Sequence, residues 1–233
     1  MAGKSTPMFI DGATIQTLLP YKSLINHLQT SLPFATSSIQ SPLRHSHPTS
    51  SSSTLLLMPS WPTSSSSTFP YIGVKLVTTH PNNNLINLPG VHATYVLFSS
   101  VTGQNLASMD ATELTLRRTA CVSALASSYL SNEGSKVLLV PSMRECDDEA
   151  IRRGRVFVDN EVAKVEAGEL VGAFERAVIK EEDGVEGDLV ELIKGVKNGR
   201  KDGKEITVFV SVGSAVVDLL SAQLAYETIT VKP

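Results

Sequence analysis

Three cations stand in surroundings that could put them to use. Lys75 interrupts the apolar run Gly73-Val74-Lys75-Leu76-Val77, Arg44 lies among apolar and serine-rich neighbours, and Arg118 follows Arg117 inside a helix of small residues. On residue type alone Lys75 is most simply a solvated strand-edge group, and Arg117-Arg118 are one exposed and one half-buried arginine. The neighbours of Arg44 favour a ligand contact, and a planar two-pronged donor suits a carboxylate. The other reactive types offer less. His45, His47, His80 and His92 have no metal-type spacing, so no metal site is expected. Asp147-Asp148-Glu149 beside Arg152-Arg153 reads as a solvated helix face with i,i+4 pairs. Cys121 reads as a small buried residue, and Ser99, Ser100 and Ser123 lack the base and the sharp elbow that a hydrolase needs.

The elements that must hold these residues are legible as patterns. Residues 8–10 read as a strand. Asp11 caps a helix over 13–19 ended by Pro20, and a second helix over 21–32 is expected to stop at Pro33. Short strands follow over 43–47, 54–58, 71–78 and 92–99, then a turn at Gly103 and a hairpin partner over 105–109. The serine tracts at 50–53 and 64–67 read as loops. Asp110-Ala111-Thr112-Glu113 resembles a capping box for a helix that runs to about Leu130.

Beyond it the pattern changes. Residues 136–140 and 155–159 are continuous apolar runs of the kind buried on both faces of a parallel sheet. Roughly 14 residues separate them, enough for one parallel crossover through a charged helix over 144–153. Helices are expected over 160–167, 172–179 and 189–193, a polar turn over 194–204, a strand over 206–210 and a last helix over 213–226. A strand like 136–140 in a dinucleotide-binding domain opens into G-x-G-x-x-G, because the backbone must approach a pyrophosphate and turn into a helix. Here Pro141-Ser142-Met143 follows, and no two of the fifteen glycines are separated by a single residue.

Bulk properties bound the function. The 233 residues carry a net charge of −3, which leaves no footprint for nucleic acid, and no apolar run nears the ~18 residues of a membrane span. Residues 1–140 hold 7 Lys+Arg against 4 Asp+Glu while 141–233 hold 13 against 19, a shift that suggests a change of module. Cys121 and Cys146 form no disulfide framework, so a reducing compartment is expected. Lys4 precedes no apolar signal core, and the cytoplasm is the reading from sequence.

Several collinear motifs converge on one family. Leu57-Met58-Pro59-Ser60, Gly73-Val74-Lys75-Leu76-Val77, Leu116-Arg117-Arg118-Thr119-Ala120, Arg144-Glu145-Cys146-Asp147-Asp148, Arg155-Val156-Phe157-Val158-Asp159-Asn160, Gly187-Asp188-Leu189 and Ser211-Val212-Gly213 resemble the ornithine cyclodeaminase/mu-crystallin family over nearly the whole chain. The resemblance implies an α/β (α+β) enzyme of two domains. A β-rich domain built from both chain ends binds substrate and dimerises, and a Rossmann domain is inserted between those ends. Members reduce cyclic ketimines with NADH or NADPH, or cyclise ornithine to proline through bound NAD, and some bind thyroid hormone. By resemblance Arg44 meets the substrate carboxylate, and Lys75 is the catalytic group near the reacting nitrogen. Arg118 with Thr119 meets substrate and cofactor phosphate, and Ser211 lies near the nicotinamide.

The departures sharpen the expectation. Leu56 stands where cyclodeaminases carry a glutamate, which points to the reductase branch and Δ1-piperideine-2-carboxylate, and Val210 replaces a polar position. Between Val140 and Pro141 the family would place on the order of 100 residues, a domain's worth, including the glycine loop. The expected organisation is therefore 1–135 and 205–233 as the substrate domain, with 136–204 a shortened Rossmann remnant. No nucleotide is expected to bind and no turnover to occur. The partners expected are a small imino or amino acid and either a second copy or a full-length relative. A non-catalytic dimerisation role and ornithine cyclisation are the alternatives. The resemblance also suggests the plastid as a compartment.

Overall fold

The computed structural model of the protein describes residues 6–64, 68–132, 148–182 and 184–231. The expected strand over 136–140, the Val140–Pro141 junction and Cys146 lie outside them. The described chain divides into two compact units, residues 1–119 with 215–233, and residues 120–214.

The first unit is a mixed sheet under helices. Strand β1 (Met8–Ile10) leads to α1 (Gly12–Leu18), where Asp11 Oδ1 accepts from the Thr14 N–H at 2.8 Å. Helix α2 (Tyr21–Ser38) runs straight through Pro33. A proline costs a helix one N–H bond, but Leu28, Leu32 and Ala35 continue the buried stripe across it and carry the helix on to Ser38. Then come β2 (Ile39–Gln40), β3 (His45–Pro48), β4 (Thr54–Pro62), β5 (Tyr71–Thr79), a 3₁₀ turn at Pro81–Ile86, β6 (Val91–Ser99) and β7 (Asn105–Asp110). The sheet order is β1-β7-β6-β5-β4-β2, with β3 also on β4; β1 joins β7 in parallel and the other pairs are antiparallel.

Helix α3 (Ala111–Leu130) starts on Asp110, whose carboxylate takes the N–H groups of Thr112 and Glu113 at 2.9 and 3.0 Å. Glu113 does not close the expected box. Its carboxylate accepts instead from Arg117 Nε at 2.9 Å, while Arg117 also donates to the Leu19 carbonyl and covers the Tyr21 ring. Arg117, to which the sequence assigned no part, fastens α3 to the start of α2.

The chain's last helix, α8 (Ala215–Val231), lies on β4, β5, α1 and α2, and residues 215–223 are buried all round. His27 of α2 faces this layer half-buried, and burial holds its pKa below the ordinary 6.5 despite the Leu220 carbonyl and Glu227. As the pH falls below that value the unfolded chain takes up the proton first, so stability drops. Urea unfolding from about pH 7.5 to 5.5 is expected to show this loss, and His27→Gln to flatten it. An unchanged slope in the variant refutes the assignment.

The second unit contains a parallel sheet in the order β10-β8-β9, from β8 (Arg155–Val158), β9 (Gly187–Asp188) and β10 (Thr207–Val210). Val156, Phe157 and Val158 are buried, as a strand covered on both faces requires. Around the sheet lie α4 (Asp148–Arg153), α5 (Ala163–Glu166), α6 (Gly168–Glu175) and α7 (Leu189–Ile193). Arginines tie down the polar turn that precedes β10. Arg155 holds the carbonyls of Asn198 and Gly199 and pairs with Glu186 and Glu205, each at 3.1 Å. Arg200 Nε and the Thr207 hydroxyl both donate to the Leu130 carbonyl, closing the end of α3. Because β10 pairs with β8, residues 207–210 lie in the sheet of the second compact unit, residues 120–214.

Candidate functional site

Alternation along β5 decides which side chains meet the helices. Gly73, Lys75 and Val77 face inward, and Ile72, Val74 and Leu76 face away. Lys75 is therefore buried under α8, at 3% exposure, with its ammonium 2.8 Å from Asp218 Oδ2. The second oxygen of the same fully buried carboxylate lies 3.0 Å from Arg118 Nε. One anion thus serves two cations. Arg44, on the segment before β3, is near enough for its charge to act on Lys75. Burial lowers the Lys75 pKa most, Arg118 and Arg44 push the same way, and Asp218 opposes them.

The floor of the site is packed to fit. Tyr95 pairs with Lys75 across the β5–β6 ladder and is wholly buried, its hydroxyl beside Ser60 and within the field of Asp218; burial first, and then that charge, push its pKa up. The Ser60 hydroxyl donates to the Ala215 carbonyl at 3.0 Å, which locks β4 to the start of α8. Residue 73 has to be glycine, since a Cβ there would overlap the Tyr95 hydroxyl.

Of the residues singled out from sequence, Arg44, Lys75 and Arg118 are thus brought together in the first unit, and Thr119 follows Arg118 on α3, half-buried. Lys75 is not the solvated strand-edge lysine its type suggests. Ser211 belongs to the second unit. Its hydroxyl donates to Asp159 Oδ2 at 2.6 Å, and the Gly213 N–H, at φ +81°, donates to the same oxygen at 2.8 Å. With its proton committed, Ser211 can offer only lone pairs to a ligand. Sequence reading missed Asp218, Tyr95 and Ser60. For Asp218 a signal existed: it is the one charge in the apolar stretch Ala215-Val216-Val217-Asp218-Leu219-Leu220.

A dinucleotide would need a glycine turn and a helix N-terminus at the carboxyl end of a parallel strand. Among the described residues β8 runs into Asp159-Asn160, β9 directly into the five-residue α7, and β10 into Ser211-Val212-Gly213. A carboxylate at the end of β8 is the wrong charge for phosphate. These residues do not fit the nucleotide. Among the described residues no group of three His, Cys, Asp or Glu side chains could hold a metal ion, and no helix is long and apolar enough to cross a membrane.

The chain is 41% identical to Protein SAR DEFICIENT 4 of Arabidopsis thaliana, covering 95% of this chain and 97% of that protein. That alignment spans 319 positions, so more than a quarter of them have no residue in this chain of 233. Its fold is that of Δ1-pyrroline-2-carboxylate reductase of Thermococcus litoralis, solved with NADH and L-proline, at a TM-score of 0.85, 22% identity and coverage of 96% of this chain and 97% of that one. An archaeal alanine dehydrogenase dimer with bound NAD superimposes at 0.82 with 22% identity, covering 97% and 96%. The profile of the ornithine cyclodeaminase/mu-crystallin family matches residues 6–141 and 139–232. With its two matched stretches meeting at the Val140–Pro141 junction, the chain belongs to the ornithine cyclodeaminase/mu-crystallin family.

Proposed function

We propose that this chain binds a small cyclic imino or amino acid by its carboxylate, in the manner of a ketimine reductase, and that it has lost the seat for the nicotinamide nucleotide. The observation that carries the reading is the buried cluster in which Arg118 and Lys75 share Asp218 with Arg44 beside them. Lys75 and Arg118 share a single carboxylate, so the pair carries one positive charge in excess that a substrate carboxylate can balance. Arg44 and Arg118 have the planar forks that grip a carboxylate. Lys75 then faces the ring nitrogen, where an ammonium can support the developing charge or hand over a proton. NADH or NADPH would supply the hydride in a complete relative, and the substrate proposed is Δ1-piperideine-2-carboxylate, giving pipecolate. Leu56, an aliphatic residue paired with Val77, has no proton to exchange and speaks against ornithine cyclisation.

Calorimetry with L-proline, L-pipecolate and the planar analogue pyrrole-2-carboxylate tests the binding reading. Saturable binding is expected for the wild type. Arg44→Met is expected to weaken it about 10- to 100-fold, the worth of a charged hydrogen bond at ~1.5–3 kcal/mol. No binding by the wild type would end the reading.

A second reading, as a dimerisation partner, has its own support. The outward face of the sheet is apolar: Ile72 and Leu76 are exposed, Ile72 pairs with Phe98, Val74 with Val96 and Pro59, and Leu76 with Leu57. Contiguous apolar surface of this kind marks a protein interface. The occupant proposed is a second copy of the same sheet, in this chain or in a full-length relative. Analytical ultracentrifugation is expected to show a dimer for the wild type and a monomer for Ile72→Glu/Leu76→Glu. A monomeric wild type that also fails to pair with a co-expressed relative rejects this role.

A further inference from the structure

We infer that Asp218 is a positioning residue that keeps Lys75 charged and aims its ammonium, so that Lys75 is the proton-carrying group of the site. The inference deepens the carboxylate-binding reading and rests on it for the identity of the proton acceptor.

The argument starts from geometry. Lys75 leaves β5 under α8, whose apolar stretch 215–220 has Asp218 as its one charge, and the two oxygens of that carboxylate are divided between Lys75, at 2.8 Å, and Arg118, at 3.0 Å. The charged or titratable groups around Lys75 are Arg118 from α3, Arg44 from the segment before β3, Asp218 from α8, and Tyr95 from β6 beside that carboxylate. A guanidinium holds its proton across the accessible pH range, so neither arginine can pass one on. The Tyr95 phenol is wholly buried next to an anion and is held in its protonated form. Of these groups Lys75 is the one cation whose proton is made easier to release, burial acting first. Its burial and both neighbouring guanidiniums act to discharge it, and Asp218 is the one group acting to keep the ammonium.

Sharing is what makes the arrangement useful. A private partner would hold the proton firmly. Because Arg118 draws on the same carboxylate, Lys75 keeps an ammonium that a bound imine nitrogen can accept from. In that step an N–H bond of Lys75 breaks as a new N–H bond forms on the ring nitrogen, and Lys75 is left as the neutral amine.

The test is the ionisation of Lys75 itself, followed by NMR of the whole chain carrying labelled lysine, with the resonance assigned by its loss in Lys75→Met. Asp218→Asn is expected to shift the ionisation constant of Lys75 about tenfold or more towards the neutral amine, and Asp218→Glu to restore most of the shift. Arg118→Met gives the Lys75–Asp218 pair sole use of the carboxylate and is expected to move ionisation the opposite way. Since that variant keeps a matched pair, it decides the matter if Asp218→Asn does not fold. If neither replacement folds, Arg44→Met, which leaves the Lys75–Asp218 and Arg118–Asp218 pairs in place, must still shift Lys75 towards the ammonium, and an unmoved Lys75 there overturns the inference. Unchanged Lys75 ionisation in folded Asp218→Asn also overturns it, even with L-pipecolate still bound. Absence of ligand binding with the Lys75 shifts intact would remove the carboxylate-binding reading instead.

Discussion

Given NADPH and Δ1-piperideine-2-carboxylate generated in situ, the chain is expected to oxidise no cofactor at an ordinary enzymatic rate, about 1–10³ per second. Hydride transfer demands that the nicotinamide carbon and the imine carbon be held in near contact, and the advantage of that positioning reaches ~7–11 kcal/mol. Arg44, Lys75 and Arg118 are the groups proposed to orient the acceptor, and among the described residues no parallel strand opens into the glycine turn that would orient the donor. No G-x-G occurs anywhere in the chain, and β8 ends at Val158 and runs into Asp159. Titration with NADPH should accordingly give no micromolar complex. Inserting between Val140 and Pro141 the segment of the Arabidopsis relative that is proposed to be missing there is the reciprocal test. It is expected to bring nucleotide binding and turnover together, and Lys75→Met in the grafted protein to remove turnover while the nucleotide still binds. Tight NADPH binding by the chain as it stands would defeat the whole expectation, and sequencing the transcript across the Val140–Pro141 codons would show whether that junction is natural.

The elements that rely on local chemistry were readable and those that rely on distant partners were not. Asp11 and Asp110 cap helices where their types and positions say they should, and β5 through β7 alternate as half-buried strands do. Pro33 misled because helix termination by proline is a local preference, which the stripe of Leu28, Leu32 and Ala35 on α8 overrides. Glu113 misled similarly, since a capping box competes with any nearby guanidinium, and Arg117 one turn later wins. At the site, Arg44, Lys75 and Arg118 were found through family motifs. Composition alone places a lysine like Lys75 in solvent, because burial of an ammonium is affordable only with a partner that is 143 residues away in sequence. Asp218 was visible as an isolated charge, yet what it pairs with depends on α8 returning to β5, a contact no local pattern encodes.

Asp218→Asn is expected to destabilise the first unit far more than Lys75→Met, although each removes one end of the same 2.8 Å ion pair. The charges left behind make the difference. Without its carboxylate the site holds Lys75 and Arg118, both nearly buried, and the anion they shared is gone. Breaking a buried pair so that charge is stranded costs about 3–5 kcal/mol. Methionine at 75 instead leaves Asp218 and Arg118 as a matched pair at 3.0 Å and fills much of the lysine's volume with an apolar chain, so a loss of no more than about 1 kcal/mol is expected, and a gain is within reach of the same reasoning. The double variant should recover part of the loss of Asp218→Asn, because it removes one of the two stranded cations; the recovery is a coupling energy that distant sites do not show. Urea unfolding of the four proteins at one pH measures all of this. Equal losses in the two single variants, with simple addition in the double, would mean that Asp218 does not serve as a counter-ion shared by Lys75 and Arg118.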